Sequence, residues 1–160
     1  MRDHYTITRY GGQVPSGLLV SPYVQYLLTA PAAHLVWWLA LRASDSVAVG
    51  GLKLTLRSGL TGRDLIGESV VIGDLSVDPK HQRLGIATAL IQATESWVSS
   101  QPDRAQTISL GVETSNCIAI AVYSKMGYTI AARAGIPITF PGGDGRSCHL
   151  MFKRLNTADA

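Results

Sequence analysis

Only two cysteines, Cys117 and Cys148, occur in the 160 residues. They are too few for a disulfide framework and show no metal-ligand spacing, so both read as small buried residues, and no metal is expected. Charge is also sparse: 16% of residues are charged and 46% apolar, which argues against global disorder. Lysine and arginine form no run, and the net charge is only +3. A nucleic-acid surface is therefore not expected, while an anionic ligand is compatible. The longest aliphatic–aromatic run, Leu35–Leu41, falls far short of the ~20 residues a membrane span needs. The opening Met-Arg-Asp-His-Tyr starts no apolar leader. No repeat, low-complexity tract or interdomain linker is visible. The expectation is one soluble, cytoplasmic domain over residues 1–160, with no membrane partner and a homodimer left open.

What is present is a sequence of short, well-punctuated elements. Tyr5–Tyr10 reads as a strand broken by Gly11-Gly12. Residues 15–30 read as one short helix or two pieces split near Pro22. His34–Arg42 and Val47–Arg57 read as an antiparallel hairpin, with Gly50-Gly51 marking a bulge or close approach. Val70–Val77 is apolar and β-branched and reads as a buried strand stopped by Asp78-Pro79. From Ile86, apolar residues return at helical spacing at Leu90, Ala93 and Trp97. Thr107–Glu113 alternates as a strand, and Ser115 or Asn116 caps a helix ending near Met126, with Gly127 at the αL stop. Ile136–Phe140 and Cys148–Phe152 flank a Gly142–Gly145 turn. This order predicts a mixed sheet with a βαβ crossover, α/β or α+β in class.

The junction after Val77 carries chemistry. A strand passes through Lys80, His81, Gln82, Arg83, Leu84 and Gly85 into a helix N-terminus. The first turn of a helix has unpaired N–H groups and a partial positive charge, so a pyrophosphate sits well there. Gly85 allows close backbone approach, and Arg83 and Lys80 add charge. No Gly-Lys-Ser/Thr follows, which disfavours a Walker-loop nucleotide kinase, and the three-glycine dinucleotide spacing is missing. His81 reads as a solvated loop residue, and His149 as core or surface.

Gln82-Arg83-Leu84-Gly85-Ile86-Ala87 resembles the Gln/Arg-x-x-Gly-x-Gly/Ala signature of the GCN5-related N-acetyltransferase (GNAT) superfamily. Leu75-Ser76-Val77-Asp78-Pro79 precedes it as the family's strand does. A second stretch, Asn116 to Tyr128, is similar to the family's Asn-x-x-Ala-x-x-(apolar)-Tyr-x-Lys-x-Gly-(aromatic), matching at Asn116, Ala119, Val122, Tyr123, Lys125, Gly127 and Tyr128. The resemblance covers about residues 70 to 130.

It implies a mostly antiparallel sheet with a central βαβ unit, a splayed strand pair and helices on both faces. It implies acetyl-CoA as co-substrate and an amine as acceptor, by direct attack in a ternary complex. The main chain of Leu75, Ser76 and Val77 would bind the pantetheine and polarise the thioester. Gln82, Arg83, Leu84, Gly85, Ile86, Ala87 and Thr88 would cradle the pyrophosphate. Ala87 replaces the commoner second glycine, and Leu84 stands where a basic residue is frequent. Tyr123 would protonate the leaving thiolate. Asn116 is read as a pantetheine contact or as an N-cap alone, and Lys125 as a phosphate contact or as solvated. The base stays open between Asp74, Glu113, Glu68 and a water relay, because Gly111 stands where some members carry a glutamate. Trp37, Trp38, Tyr23 and Tyr26 line an acceptor pocket or the core. The acceptor could be a small amine, an antibiotic, an amino acid or a protein amine. A non-catalytic acyl-CoA sensor is the alternative.

Overall fold

The computed structural model describes residues 4–29, 31–56, 69–101 and 106–155. The main sheet is built from β1 (Tyr5–Gly11), β2 (Leu35–Arg42), β3 (Ala48–Thr55), β4 (Val70–Val77), β5 (Thr107–Glu113), β6 (Thr129–Ile130), β9 (Thr139–Pro141) and β10 (Ser147–Arg154). These run in the order β1-β2-β3-β4-β5-β10-β6, with β9 also paired to β10. β7 (Ala132–Arg133) and β8 (Ile136–Pro137) form a separate small ribbon. Among the described residues only the β4–β5 ladder is parallel. The mixed, mostly antiparallel architecture expected from the sequence is the one observed.

Helices cover both faces. α1 (Pro22–Gln25) and the segment after it place Val24 and Leu27 with Leu39 and Ala48 on one face. α2 (Ile86–Ser99) buries Ile86, Leu90, Ile91, Thr94 and Val98 on the other, against Trp38, Ala40, Leu52 and Leu54. Each fully buried Leu or Ile stabilises the fold by about 1.5–3 kcal/mol. α3 (Cys117–Lys125) packs Ala119, Ile120 and Tyr123 on the same side as α2.

Gly50 and Gly51 of β3 let both layers close. A Cβ on Gly50 would lie 2.8 Å from Ile86 Cγ2 of α2, and one on Gly51 2.9 Å from Leu27 Cδ1 on the opposite face. The pair is thus a close approach, and the register also shifts beside it, between Ala40 and Leu41.

One sequence expectation needs correction, and two open alternatives are decided. Pro22 does not split a helix; it occupies the first turn of α1, where its missing N–H is no loss, and Ser21 caps that turn. β4 is not buried along its length: Val70 and Ile72 are buried, but the strand opens to solvent toward Val77. Trp37 and Trp38 are 1% and 3% exposed, so both are core and neither lines an acceptor pocket. Trp37 Nε1 donates to the Leu27 carbonyl at 2.8 Å, and Trp38 meets Trp97 edge-on at 5.5 Å.

Candidate active site

The site begins where β4 ends. Asp78 Oδ1 accepts from Lys80 N at 3.0 Å and starts a 3₁₀ turn over Pro79–His81. That bond, with a second from the Ser21 hydroxyl, holds the Asp78 carboxyl below the usual carboxylate range. His81 is buried inside the turn. Arg42 Nη1 donates to its Nε2 at 3.3 Å, which leaves the proton on Nδ1 to donate to Tyr5 Oη at 2.9 Å. Gln82 folds back and donates to the Val77 carbonyl at 3.1 Å. Arg83 and Gly85 then take left-handed backbone angles, φ 65° and 81°.

Gly85 is the N-cap of α2 and has no side chain to satisfy the first-turn N–H groups. The first bond inside the helix is from Ala89 N to the Gly85 carbonyl, at 3.0 Å. A Cβ on Gly85 would meet nothing within 4 Å, so the space beside the uncapped turn is open. Uncapped first-turn donors carry partial positive charge, and Arg83 adds a full positive charge beside them.

From that turn a groove of about 820 Å³ follows the open half of β4. The β4–β5 ladder joins only Val70–Ile72 to Ile108–Leu110, although the strands continue to Val77 and Glu113. The free strand edges beyond that point line the groove, and α3 forms its other wall through Asn116, Ala119, Val122 and Tyr123. Asn116 caps α3 by accepting from Ala119 N at 3.1 Å. Half-buried Tyr123 meets Tyr128 edge-on at 5.8 Å. Burial first, and nearby Tyr26 second, push its hydroxyl up to about 12. It therefore stays protonated throughout the neutral range.

The face of the sheet away from α2 carries the carboxylates. A bulge at Gly73 shifts the β3–β4 register, and Asp74 then pairs across from Lys53, with Nζ to Oδ2 at 3.3 Å. Glu113, at the end of β5, meets Arg146 Nη1 at 3.5 Å. Between them Gly111 is covered: a Cβ there would lie 2.7 Å from Phe140 Cζ. The ring occupies the space a side chain at 111 would need.

A family model described as Acetyltransferase (GNAT) family matches residues 12–128. The chain belongs to the GNAT acetyltransferase family. The GNAT fold is also seen in solved structures. NAA60 from Arabidopsis thaliana, in complex with a bisubstrate analogue, is 19% identical with a TM-score of 0.64, covering 96% of this chain and 100% of that one. The ribosomal-protein-S18-alanine N-acetyltransferase from Escherichia coli is 22% identical with a TM-score of 0.58, covering 79% and 73%. The PaiA N-acetyltransferase from Thermoplasma acidophilum, in complex with coenzyme A, is 17% identical with a TM-score of 0.55, covering 82% and 64%. No curated protein matches by sequence.

The GNAT fold brings nearly all the sequence-derived residues onto one groove. Asp74, Leu75, Ser76, Val77, Gln82, Arg83, Gly85, Ile86, Ala87, Thr88, Glu113, Asn116 and Tyr123 line it. Leu84 points to solvent, 59% exposed, outside the lining. Lys125 lines a neighbouring hollow of about 410 Å³ with Thr88, Gln92 and Lys153. Glu68 lies outside the described residues. His81, expected to be solvated, is buried and ties the loop to β1 and β2. Lys53, Phe140 and Ile118 were not foreseen at the site. No local signal marks Lys53 or Phe140, because each reaches the site through strand register. Ile118 lies in the first turn of a helix whose cap was legible, and an apolar residue there is also what a core helix shows. Among the described residues no cluster of His, Cys, Asp and Glu suits a metal.

Proposed function

We propose that this GNAT chain transfers an acetyl group from acetyl-CoA to a primary amine by direct attack in a ternary complex. The observation that carries the reading is the uncapped α2 N-terminus at Gly85 opening into the β4–β5 gap, with the Tyr123 hydroxyl on the facing wall. The first-turn N–H groups of α2 and Arg83 would hold the pyrophosphate. The edge of Leu75–Val77 that faces β5, unpaired beyond Ile72, would run beside the pantetheine and donate to the developing oxyanion, worth about 3 kcal/mol per donor. Tyr123 would supply hydrogen to the departing sulfur. A phenol at about 12 is a weaker acid than a thiol near 8.5. Full transfer even to the released thiolate would be uphill by about 5 kcal/mol. Tyr123 would therefore act by donating a hydrogen bond to the sulfur as it gains charge, and the thiolate would finally take the proton released by the amine or one from solvent. Asp74, on the acceptor face, is the better placed of the two carboxylates to receive the amine's proton, directly or through water. Glu113 lies at the strand end, tied to the exposed Arg146.

The test is calorimetric titration of the protein with acetyl-CoA, joined to an amine screen that detects free CoA thiol and acetylated product. Saturable binding with thiol release that requires an amine is expected. A protein that binds no acetyl-CoA would refute the reading. Binding without release to any amine would leave only a sensor.

A further inference from the structure

Resting on the acetyltransferase reading, we propose that the acceptor is a single amine at the free amino end of a peptide, carried next to an apolar first side chain that Tyr26 and Ile118 receive. Tyr26 and Ile118 are large apolar residues left 58% and 81% exposed, and both line the catalytic groove. Tyr26 sits at the end of α1, whose turn is otherwise anchored by buried Val24. Ile118 lies in the first turn of α3, two residues after the Asn116 cap. Tyr26 is near enough to the Tyr123 hydroxyl to act on its charge. An apolar body seated there would keep its amine close to the reacting centre. Exposed apolar residues at the rim of a groove are where a partner's apolar surface is expected.

Charge separates this acceptor from the polyamines and amino sugars. A polycation needs uncompensated carboxylates along its path. Among the described residues both lining carboxylates are already engaged, Asp74 by Lys53 and Glu113 by Arg146. Arg83 adds a positive charge to the same lining. Counting these side chains, two negative charges face three positive ones. Phe140, closed over Gly111, fills the space an acidic side chain at that position would need. One ammonium can be accommodated by exchange with Lys53 at Asp74; among the described residues a second and third find no counter-charge in the lining. The open rim distinguishes a peptide end from a small molecule, because small-molecule sites enclose most of their ligand. A peptide needs only its first residue held while the chain leaves into solvent.

The full-length protein would be given acetyl-CoA and a set of equal-length peptides differing only in the first residue, with spermidine and an aminoglycoside as polycations. Free thiol and product mass would be read. The expected kcat/KM for Leu- or Phe-initiated peptides is at least tenfold above that for Ser- or Lys-initiated ones, with spermidine lowest. Tyr26→Ala and Ile118→Ala, checked by thermal melt, should bring the Leu-to-Ser ratio below about threefold, chiefly by raising KM for the Leu peptide. Equal use of spermidine or of a Lys-initiated peptide overturns the proposal, as does a Leu-to-Ser ratio that both variants leave intact. Transfer to none of the peptides while acetyl-CoA still binds by calorimetry overturns it but spares the cofactor site. Absence of acetyl-CoA binding removes the acetyltransferase reading and this proposal together.

Discussion

Replacing Tyr123 by phenylalanine removes one oxygen and tests the acid directly. Among the described residues no hydrogen bond involves that hydroxyl, while its ring packs against Tyr128 at 5.8 Å. The ring contact survives the change, so stability should move by no more than about 0.5 kcal/mol. The rate should not survive. A positioned proton donor contributes about 10²- to 10⁴-fold. The raised phenol makes the lower end the appropriate value here, a loss near 10² in kcat, or about 2.7 kcal/mol. Affinity for acetyl-CoA should change less than about threefold, because the interaction strengthens only as the sulfur gains charge.

Steady-state kinetics of the folded variant with its best acceptor, beside calorimetry with CoA, separates these effects. The pH profile gives a second reading. With Tyr123 pushed up to about 12, the donor form is complete to pH 10, so wild-type kcat should show no alkaline loss attributable to Tyr123 below that point. A Phe variant with kcat within about threefold of wild type would refute the assignment, and water would then hydrogen-bond the departing thiolate. A loss confined to CoA affinity would make the hydroxyl a cofactor contact.

Three further outcomes are expected. Gly85→Glu should weaken acetyl-CoA binding at least tenfold in a folded protein, and Gly85→Ala, which imposes the same left-handed strain without the charge, should weaken it less; equal losses would implicate strain and not the anion site. Trp38→Ala should cost about 3–5 kcal/mol by emptying a core position against Trp97, and a stable variant with only an altered acceptor KM would contradict the core assignment. Burial and the Glu95 carboxylate push Tyr128 upward, and Tyr123 rises as well, so both folded-state values exceed the unfolded one near 10. The stability they contribute is complete below pH 10 and is lost as pH climbs above it; a melting temperature unchanged between pH 8 and pH 11 would count against that.

The legible parts of the fold were those written in consecutive residues. The Val70–Val77 strand, its Asp78-Pro79 stop, the helix from Ile86 and the Asn116 cap each depend on near neighbours, and each lies where its pattern places it. Contacts made through tertiary pairing were not legible. His81 looks like one more polar loop residue until Tyr5 and Arg42 converge on it from 76 and 39 residues away. Trp37 and Trp38 leave a pocket reading open beside the commoner core one, because adjacent strand residues face opposite sides. Both sides of β2 are covered, one by α1 and one by α2, and that is a fact of topology. The same holds for Phe140 over Gly111, which depends on β9 pairing with β10 and β10 with β5.

The misjudged burial of β4 shows why a groove is hard to see in sequence. Leu75 and Val77 are as apolar as Val70 and Ile72, yet only the first pair of residues in the strand's apolar series is covered. The difference arises after Leu110, where β5 ceases to pair with β4. An apolar strand edge that loses its neighbour keeps free N–H and C=O groups beside apolar side chains, which is what an acylated, amide-bearing arm requires. Ser21 extends the logic to the opposite wall of the groove. Its hydroxyl accepts from Tyr23 N to cap α1 and donates to Asp78 Oδ2 at 2.7 Å, while Asp78 caps the turn that leads into the Gly85 loop. One short hydrogen bond therefore joins the wall that carries Tyr26 to the loop that presents Gly85. The wall that carries Tyr26 and the Gly85 loop are set against each other by residues 57 apart in sequence.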